Sequence, residues 1–445
     1  MDEHSSHEIL TVNLEAETDY APPDIHSTNH GGSAIGWTEE VTLRKTAKPT
    51  AIGGTQGVHT LVVREVRELE AFRTLWVTLA KEAADANPYY EPWWLLPSLR
   101  YLHTGRSLLF LLMFAPDPDC RTGPNLLRGM FPFEVAPQYR GLPARVLRLL
   151  RPTYNRLCTP LVHRAFVPEC VGALLDWAEQ QPQDATLLEF RFITGEGRVA
   201  QELHQQISDR NWMCLQSECT IRALFKPMPS AELYLKRALR GKHLKEFRRM
   251  QNRLSDTGPT EYRCLEPQAD AKPWIDSFLE LESCGWKGRT GSSLASRVET
   301  RRFFEESALE AHRHGQLMML GLFHRDRPIA LKCNLLSGNG AVAFKIAFDE
   351  AYRRFSPGML LEIENVRRLH DMCEIASMDS TASAEHFMIN RLWIDRRTVE
   401  TLLISPNRAW GNLIVSCFPL LRWAKRATRR IVRRPNPGQM THALK

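Results

Sequence analysis

Residues 316–323, 328–337 and 341–348 form three strand-like runs separated by gaps too short to hold a crossover helix. They must therefore pair as consecutive antiparallel strands. The third feeds a turn, Arg353-Arg354-Phe355-Ser356-Pro357-Gly358, and then a helical stretch over 358–371. Upstream, the periodicity predicts strands over 60–64, 107–114, 126–133 (ended by Pro132), 186–193, 213–225 and 260–265. Helices are predicted over 68–84, 92–102, 168–180, 198–210, 230–254, 272–282 and 297–313. After 371 come strands over 375–379 and 398–404. Strands interleaved with helices indicate α/β layers, and Pro227 and Pro229 punctuate two halves of comparable element order.

The 445 residues allow two to four domains. Residues 1–57 hold nine acids against three bases, have little apolar periodicity and end in Gly53-Gly54-Thr55-Gln56-Gly57, the composition of a disordered acidic leader. No basic start precedes an apolar core, so a signal peptide is not expected. Residues 405–445 hold nine bases and no acid. The body between carries 46 bases and 42 acids, so the net charge of +7 belongs largely to the tail and gives no argument for specific nucleic-acid binding. The ten cysteines include no C-x-x-C, which fits reduced thiols better than a disulfide framework or a zinc site. The longest apolar runs, 108–115 and 412–421, are about half a bilayer span. A cytoplasmic protein is expected, with a possible peripheral position at the inner face of the membrane.

The turn before residue 358 carries the most chemistry. Pro357 suits a first helical position, and Gly358 allows close backbone approach. A helix start with Arg353, Arg354 and Ser356 beside it offers N–H groups and guanidinium donors to a diphosphate; the same residues also suit an ordinary capped helix with solvated arginines. No G-x-S-x-G, Walker loop or H-E-x-x-H occurs. In the first half the nearest counterpart is Arg140-Gly141-Leu142-Pro143, with no clear strand before it.

Six blocks in order resemble one family. They are Asn87-Pro88 through Trp94-Leu95-Leu96-Pro97, Gly285-Trp286-Lys287-Gly288, Ala343 to Asp349, Ser356-Pro357-Gly358, Met378-Asp379-Ser380 and Arg391-Leu392-Trp393. Together they span about residues 60–405 and are similar to the GNAT superfamily, in the double-GNAT group of FemAB-like and CelD-like (cellulose-biosynthesis associated) acyltransferases. The resemblance implies an α/β (α+β) fold of two tandem GNAT-like domains, each a mixed, mostly antiparallel sheet flanked by helices. The boundaries expected are 58–226 for an acceptor-side half with a degenerate donor site, 227–405 for the acyltransferase half, and 406–445 for a basic amphipathic or disordered tail.

It also implies an N-acyltransferase using acetyl-CoA or another acyl-CoA, without a metal, on an amine of a small molecule or glycan precursor. The alternative is a non-catalytic GNAT-fold accessory protein docking on a membrane or exopolysaccharide-synthesis complex. In the family, strand N–H groups polarise a thioester carbonyl held between splayed strands while an amine attacks. Arg353, Arg354, Ser356, Pro357 and Gly358 are then the cofactor-binding residues. Asp379 is the expected base, or else a turn cap, with Lys345 and His386 as helpers. Strict alternation puts Lys345 on one face with Ala341, Ala343 and Ala347, opposite Phe344, Ile346 and Phe348. Trp286, Lys287 and Arg391 are candidates for the acceptor, although Trp286 could instead pack on a Schellman-type helix end.

Two basic segments remain. Residues 236–253 hold eight cations against one acid, a face for coenzyme A phosphates, an acyl carrier protein or anionic lipid, or simply a solvated face. Residues 410–434 mix apolar residues with arginines, as in a helix lying on an anionic membrane, although Pro419 weakens a helix there.

Overall fold

The computed structural model describes residues 52–53, 57–103, 105, 107–117, 125–181, 183 and 185–432, the last twelve as backbone. Most of the leader and residues 433–445 lie outside the described residues. The strands are β1 (Ile52–Gly53), β2 (His59–Val63), β3 (Ser107–Ala115), β4 (Leu126–Ala136), β5 (Val146–Leu149), β6 (Leu161–Val162), β7 (Leu187–Thr194), β8 (Met213–Phe225), β9 (Thr260–Cys264), β10 (Leu317–His324), β11 (Arg327–Ser337), β12 (Gly340–Phe348), β13 (Ser377–Asp379) and β14 (Asp395–Ser405). They form one mixed, mostly antiparallel sheet in the order β1-β2-β3-β4-β5-β7-β14-β8-β13-β12-β11-β10-β9, with β6 beside β4. Helices flank it, as expected.

The two halves are sewn together by long strands. β14, late in the sequence, inserts between β7 and β8, while β8 continues along β13. One core packs the first half around Trp76, Phe110, Phe131, Phe133, Leu174 and Phe190. The second half is packed on both faces of β10–β12: Met359, Leu360 and Trp393 lie on one side, and Phe278, Phe303 and Trp94 on the other.

Several local expectations need correction. Pro132 does not end β4. Its carbonyl accepts from Leu150, so its missing N–H points to the edge between β6 and β5, where no ladder bond is lost. The basic segment is two helices, Ala231–Ala238 and Gly241–Ser255, because Leu239 turns extended to bury its side chain. The helix expected over 68–84 likewise divides into Val66–Glu70 and Arg73–Lys81. Gly285 is extended rather than left-handed, so the helix Lys272–Cys284 ends without a Schellman motif, and a short helix, Trp286–Arg289, follows at once. A Cβ on Gly288 would lie 1.7 Å from the Ser283 carbonyl, which fixes glycine there.

Candidate acyl-transfer site

β12 is bonded to β11 along its length but to β13 only over Gly340–Val342, opposite Ser377–Asp379. β13 ends there, and the rest of β12 has no strand on this side among the described residues. Thr381 Oγ1 donates to Ala343 O at the fork, at 2.6 Å. Asp349 N–H donates to Ile329 in β11, so by alternation the backbone groups of Ile346 and Phe348 face the open edge. Lys287 Nζ, 3.4 Å from Ile346 O, lies on that edge.

Strict alternation fails in β12. The register shifts between Cys333, opposite Lys345, and Asn334, opposite Ala343, leaving Phe344 as an extra residue. Past this bulge the faces exchange. Ala341 and Ala343 share a face with Ile346 and Phe348, while Phe344 and Lys345 both lie with Val342 and Ala347 on the other. Lys345 thus leaves the small-residue face. Its Nζ is 2.7 Å from Glu282 Oε1 and 5.3 Å from the Tyr154 ring centroid.

The turn after β12 is a 3-10 segment, Glu350–Phe355, capped by the Asp349 side chain. Ser356 is left-handed, with φ of 50°, and its carbonyl receives the N–H groups of Met359 and Leu360 as the helix Pro357–Asp371 begins. Pro357 has no N–H, and the Gly358 N–H has no backbone acceptor among the described residues. A Cβ on Gly358 would meet only the side chains of Phe348 and Ile346, at 3.5 and 3.7 Å, so the helix start lies over the open-edge residues. Arg353 and Arg354 are exposed beside it. Glu350, the nearby acid, is occupied by Arg289 and by the Trp286 N–H. An N–H without a backbone acceptor, beside two exposed guanidinium groups of which Arg354 lies over the Phe355 ring at 4.7 Å, fits a diphosphate. The first-half turn, Arg140-Gly141, runs instead into β5, and Arg140 lies over the Phe418 ring.

Asp379 is fully buried. Its Oδ2 accepts from Arg222 at 2.6 Å and Arg397 at 3.1 Å, and its Oδ1 from the Thr381 N–H. Burial pushes its carboxyl up, but Arg222 and Arg397 outweigh this and hold it below the usual range. Three strands, β8, β13 and β14, are tied through this one carboxylate. His386 caps the helix Phe387–Leu392 through Nδ1. Burial lowers its pKa, within the electrostatic reach of Glu362 and Lys332. Trp286 is half-buried, and Arg391 lies on the exposed Phe387 ring at 3.6 Å.

Sequence reasoning missed two carboxylates. Glu282 is buried and accepts from Lys345, Lys287 and the Leu294 N–H; burial pushes it up, but the two ammonium groups leave it lowered. Its signal was a carboxylate seven residues after Ile275, in apolar phase. Glu362 pairs with buried Lys332, the cross-strand neighbour of Ile346, and Asn365 binds Asn334 beside it.

The acetyltransferase (GNAT) domain family profile matches residues 241–387, the segment holding β12 and β13, the turn and the helix after it. Residues 241–387 are a GNAT domain. The crystal structure of FemX superposes with a TM-score of 0.50 at 11% identity, covering 77% of this chain and 98% of FemX. The chain therefore shares the fold of FemX. A tandem GNAT protein from the clavulanic acid biosynthesis pathway matches at TM-score 0.38 and 16% identity, covering 79% and 99%. The C-terminal domain of a putative lysylphosphatidylglycerol synthetase from Agrobacterium fabrum matches at 0.45 and 11%, covering 79% and 97%. No curated protein matches the chain. The GNAT half thus contains every candidate cofactor-binding residue, whereas Arg222 and Arg397, which hold Asp379, lie outside the matched segment.

Proposed function

We propose that this protein is an N-acyltransferase moving an acyl group, most simply acetyl, from acyl-CoA to an amine of a small molecule or glycan precursor. The observation that carries this reading is the fork between β12 and β13, with the start of the helix Pro357–Asp371 lying over its open edge. Bound there, an acyl-CoA would supply an activated thioester. Arg353, Arg354 and the Gly358 N–H would hold its diphosphate. The Ile346 N–H, facing the open edge, would donate to the oxygen that gains charge; one such donor is typically worth about 3–4 kcal/mol of barrier.

Attack by the amine forms the C–N bond and breaks C–S, coenzyme A leaving as a thiolate that takes up a proton, and one proton on nitrogen has to be removed. His386 suits that proton better than Asp379. Its lowered pKa favours the neutral imidazole. The single lone pair of that ring, on Nδ1, is held by only one 3.4 Å bond from the Ile389 N–H, which it must give up to take the proton; both oxygens of Asp379 are held more tightly, at 2.6 to 3.1 Å. Asp379 is then a positioning residue holding β13 at the fork, and Lys345 and Lys287 are fixed by Glu282 along the other wall. Calorimetric titration with acetyl-CoA and longer acyl-CoAs tests the proposal. Binding that weakens in Arg353→Ala supports it; folded protein binding none of them overturns it.

A further inference from the structure

The helix Gly241–Ser255 takes no part in the site described above. Leu254 is buried, and Leu244 and Phe247 pack on the core of the second half. Lys242, Lys245, Arg249 and Arg253, three or four residues apart, form the opposite stripe and are all exposed. On the helix before it, Ala231–Ala238, Leu233 is 46% exposed and shares a face with exposed Lys236 and Arg237. Residues 236–253 hold eight cations against one acid, and among the described residues none of the eight forms an ion pair. The helix Val298–Arg313 differs, pairing Arg301 with Glu305 and Arg313 with Glu310 within itself. Like charges at i, i+4, such as Lys245 with Arg249 and Arg249 with Arg253, cost helix stability, and an anionic partner removes that cost.

This row of cations is tied to the turn after β12. Thr257, just past the helix, meets His324 Nε2 at 3.1 Å, and His324 Nδ1 meets the Tyr352 hydroxyl at 3.3 Å. The helix also packs on the segment Glu350–Phe355, which carries Arg353 and Arg354. A partner seated on the row therefore lies beside the helix start at Gly358. An acidic helix presents carboxylates at the same three- and four-residue spacing, and a protein surface also covers Leu233. A nucleic acid would match the cations, but it gains from stacking on exposed rings, and Phe247 packs inward. A second copy would bring like charge against like.

We propose that the helices Ala231–Ala238 and Gly241–Ser255 dock an acidic, helical carrier protein, which presents the acyl group to the fork on a phosphopantetheine arm. What the partner carries rests on the acyl-transfer reading; the docking itself rests on the unpaired cations.

The test is binding of the full chain to purified acyl carrier protein, in its apo form and bearing acetyl-phosphopantetheine, with transfer RNA for comparison. Both carrier forms should bind, and raising salt from about 50 to about 300 mM should weaken them about tenfold or more. Lys245→Glu with Arg249→Glu should weaken carrier binding about tenfold or more, with circular dichroism and acetyl-CoA affinity unchanged. Folded wild-type protein that binds neither carrier form overturns the proposal. So does carrier binding undiminished in the double-glutamate variant, or tighter binding to transfer RNA. Carrier binding by a chain with no affinity for any acyl-CoA supports the docking surface and overturns only the acyl-transfer reading.

Discussion

Lys345 Nζ lies 2.7 Å from Glu282 Oε1, joining the bulged strand β12 to the end of the helix Lys272–Cys284, with the glutamate side chain fully buried. The bulge at Phe344 makes the contact possible by turning Lys345 away from the helix Pro357–Asp371. A buried ion pair costs most when only one member is removed.

Glu282→Gln and Lys345→Met should therefore each destabilise the fold by about 3–5 kcal/mol, and the double variant by clearly less than the sum. Urea unfolding of the four proteins measures this; additive losses would mean that the two charges do not interact. Glu282 also takes Lys287 and the Leu294 N–H, so its single variant should be the worse of the two.

Asp379→Asn should separate clamp from base. As a clamp, the carboxylate holds Arg222 and Arg397, and its loss should cost about 3–5 kcal/mol. Because its folded pKa is depressed, its contribution is present above the ordinary value near 3.8 and is lost as pH falls through the lower folded value. Acid unfolding followed by fluorescence should accordingly be less steep in the variant. A variant of wild-type stability that has lost only turnover would restore the base assignment.

His386→Gln should reduce acyl transfer with acyl-CoA affinity kept, by roughly the 10²–10⁴-fold of a general base. The acidic limb of the wild-type pH–rate profile should lie below the usual histidine range, because burial lowers this imidazole. An unchanged acidic limb in the variant would exclude His386 as its source.

Arg353→Ala and Arg354→Ala should leave stability alone, since both side chains are exposed, yet each should weaken acyl-CoA binding about tenfold or more. Gly358→Ala is the contrast. Its new methyl would rest at ordinary distance on Phe348 and Ile346, so the protein should fold as well or better, by up to about 1 kcal/mol. Calorimetry beside thermal melting distinguishes the three; a Gly358→Ala protein that melts far lower would contradict the packing.

His204 Nε2 meets Glu400 Oε1 at 2.9 Å, and this hydrogen bond raises the histidine pKa. The pair's stabilisation is complete below the unfolded value near 6.5 and falls away as pH rises through the folded value. With His204 nearly half exposed, solvent screening keeps the effect small. His204→Gln should flatten the slope of stability across neutral pH, measured by urea midpoints.

Periodicity and punctuation, which act over a few residues, determined most strands and helices of this chain, though not β5, β6 or the short helix Phe387–Leu392, and six ordered blocks determined its GNAT resemblance. Local pattern placed Arg353, Arg354 and Gly358 at the opening of one helix, where the structure has them. What required the tertiary structure is whatever depends on residues far apart in sequence. Glu282 meets Lys345 across 63 positions, and Asp379 meets Arg222 across 157. A single extra residue at Phe344 reverses the facing of everything after it in β12, because side-chain direction in a strand has period two and a bulge shifts it by one. The insertion of β14 between β7 and β8 is likewise a matter of which edges lie free once the halves meet. Sequence spacing specifies the elements; only their packing decides which charges are buried together, and burial is what fixes their protonation and their roles.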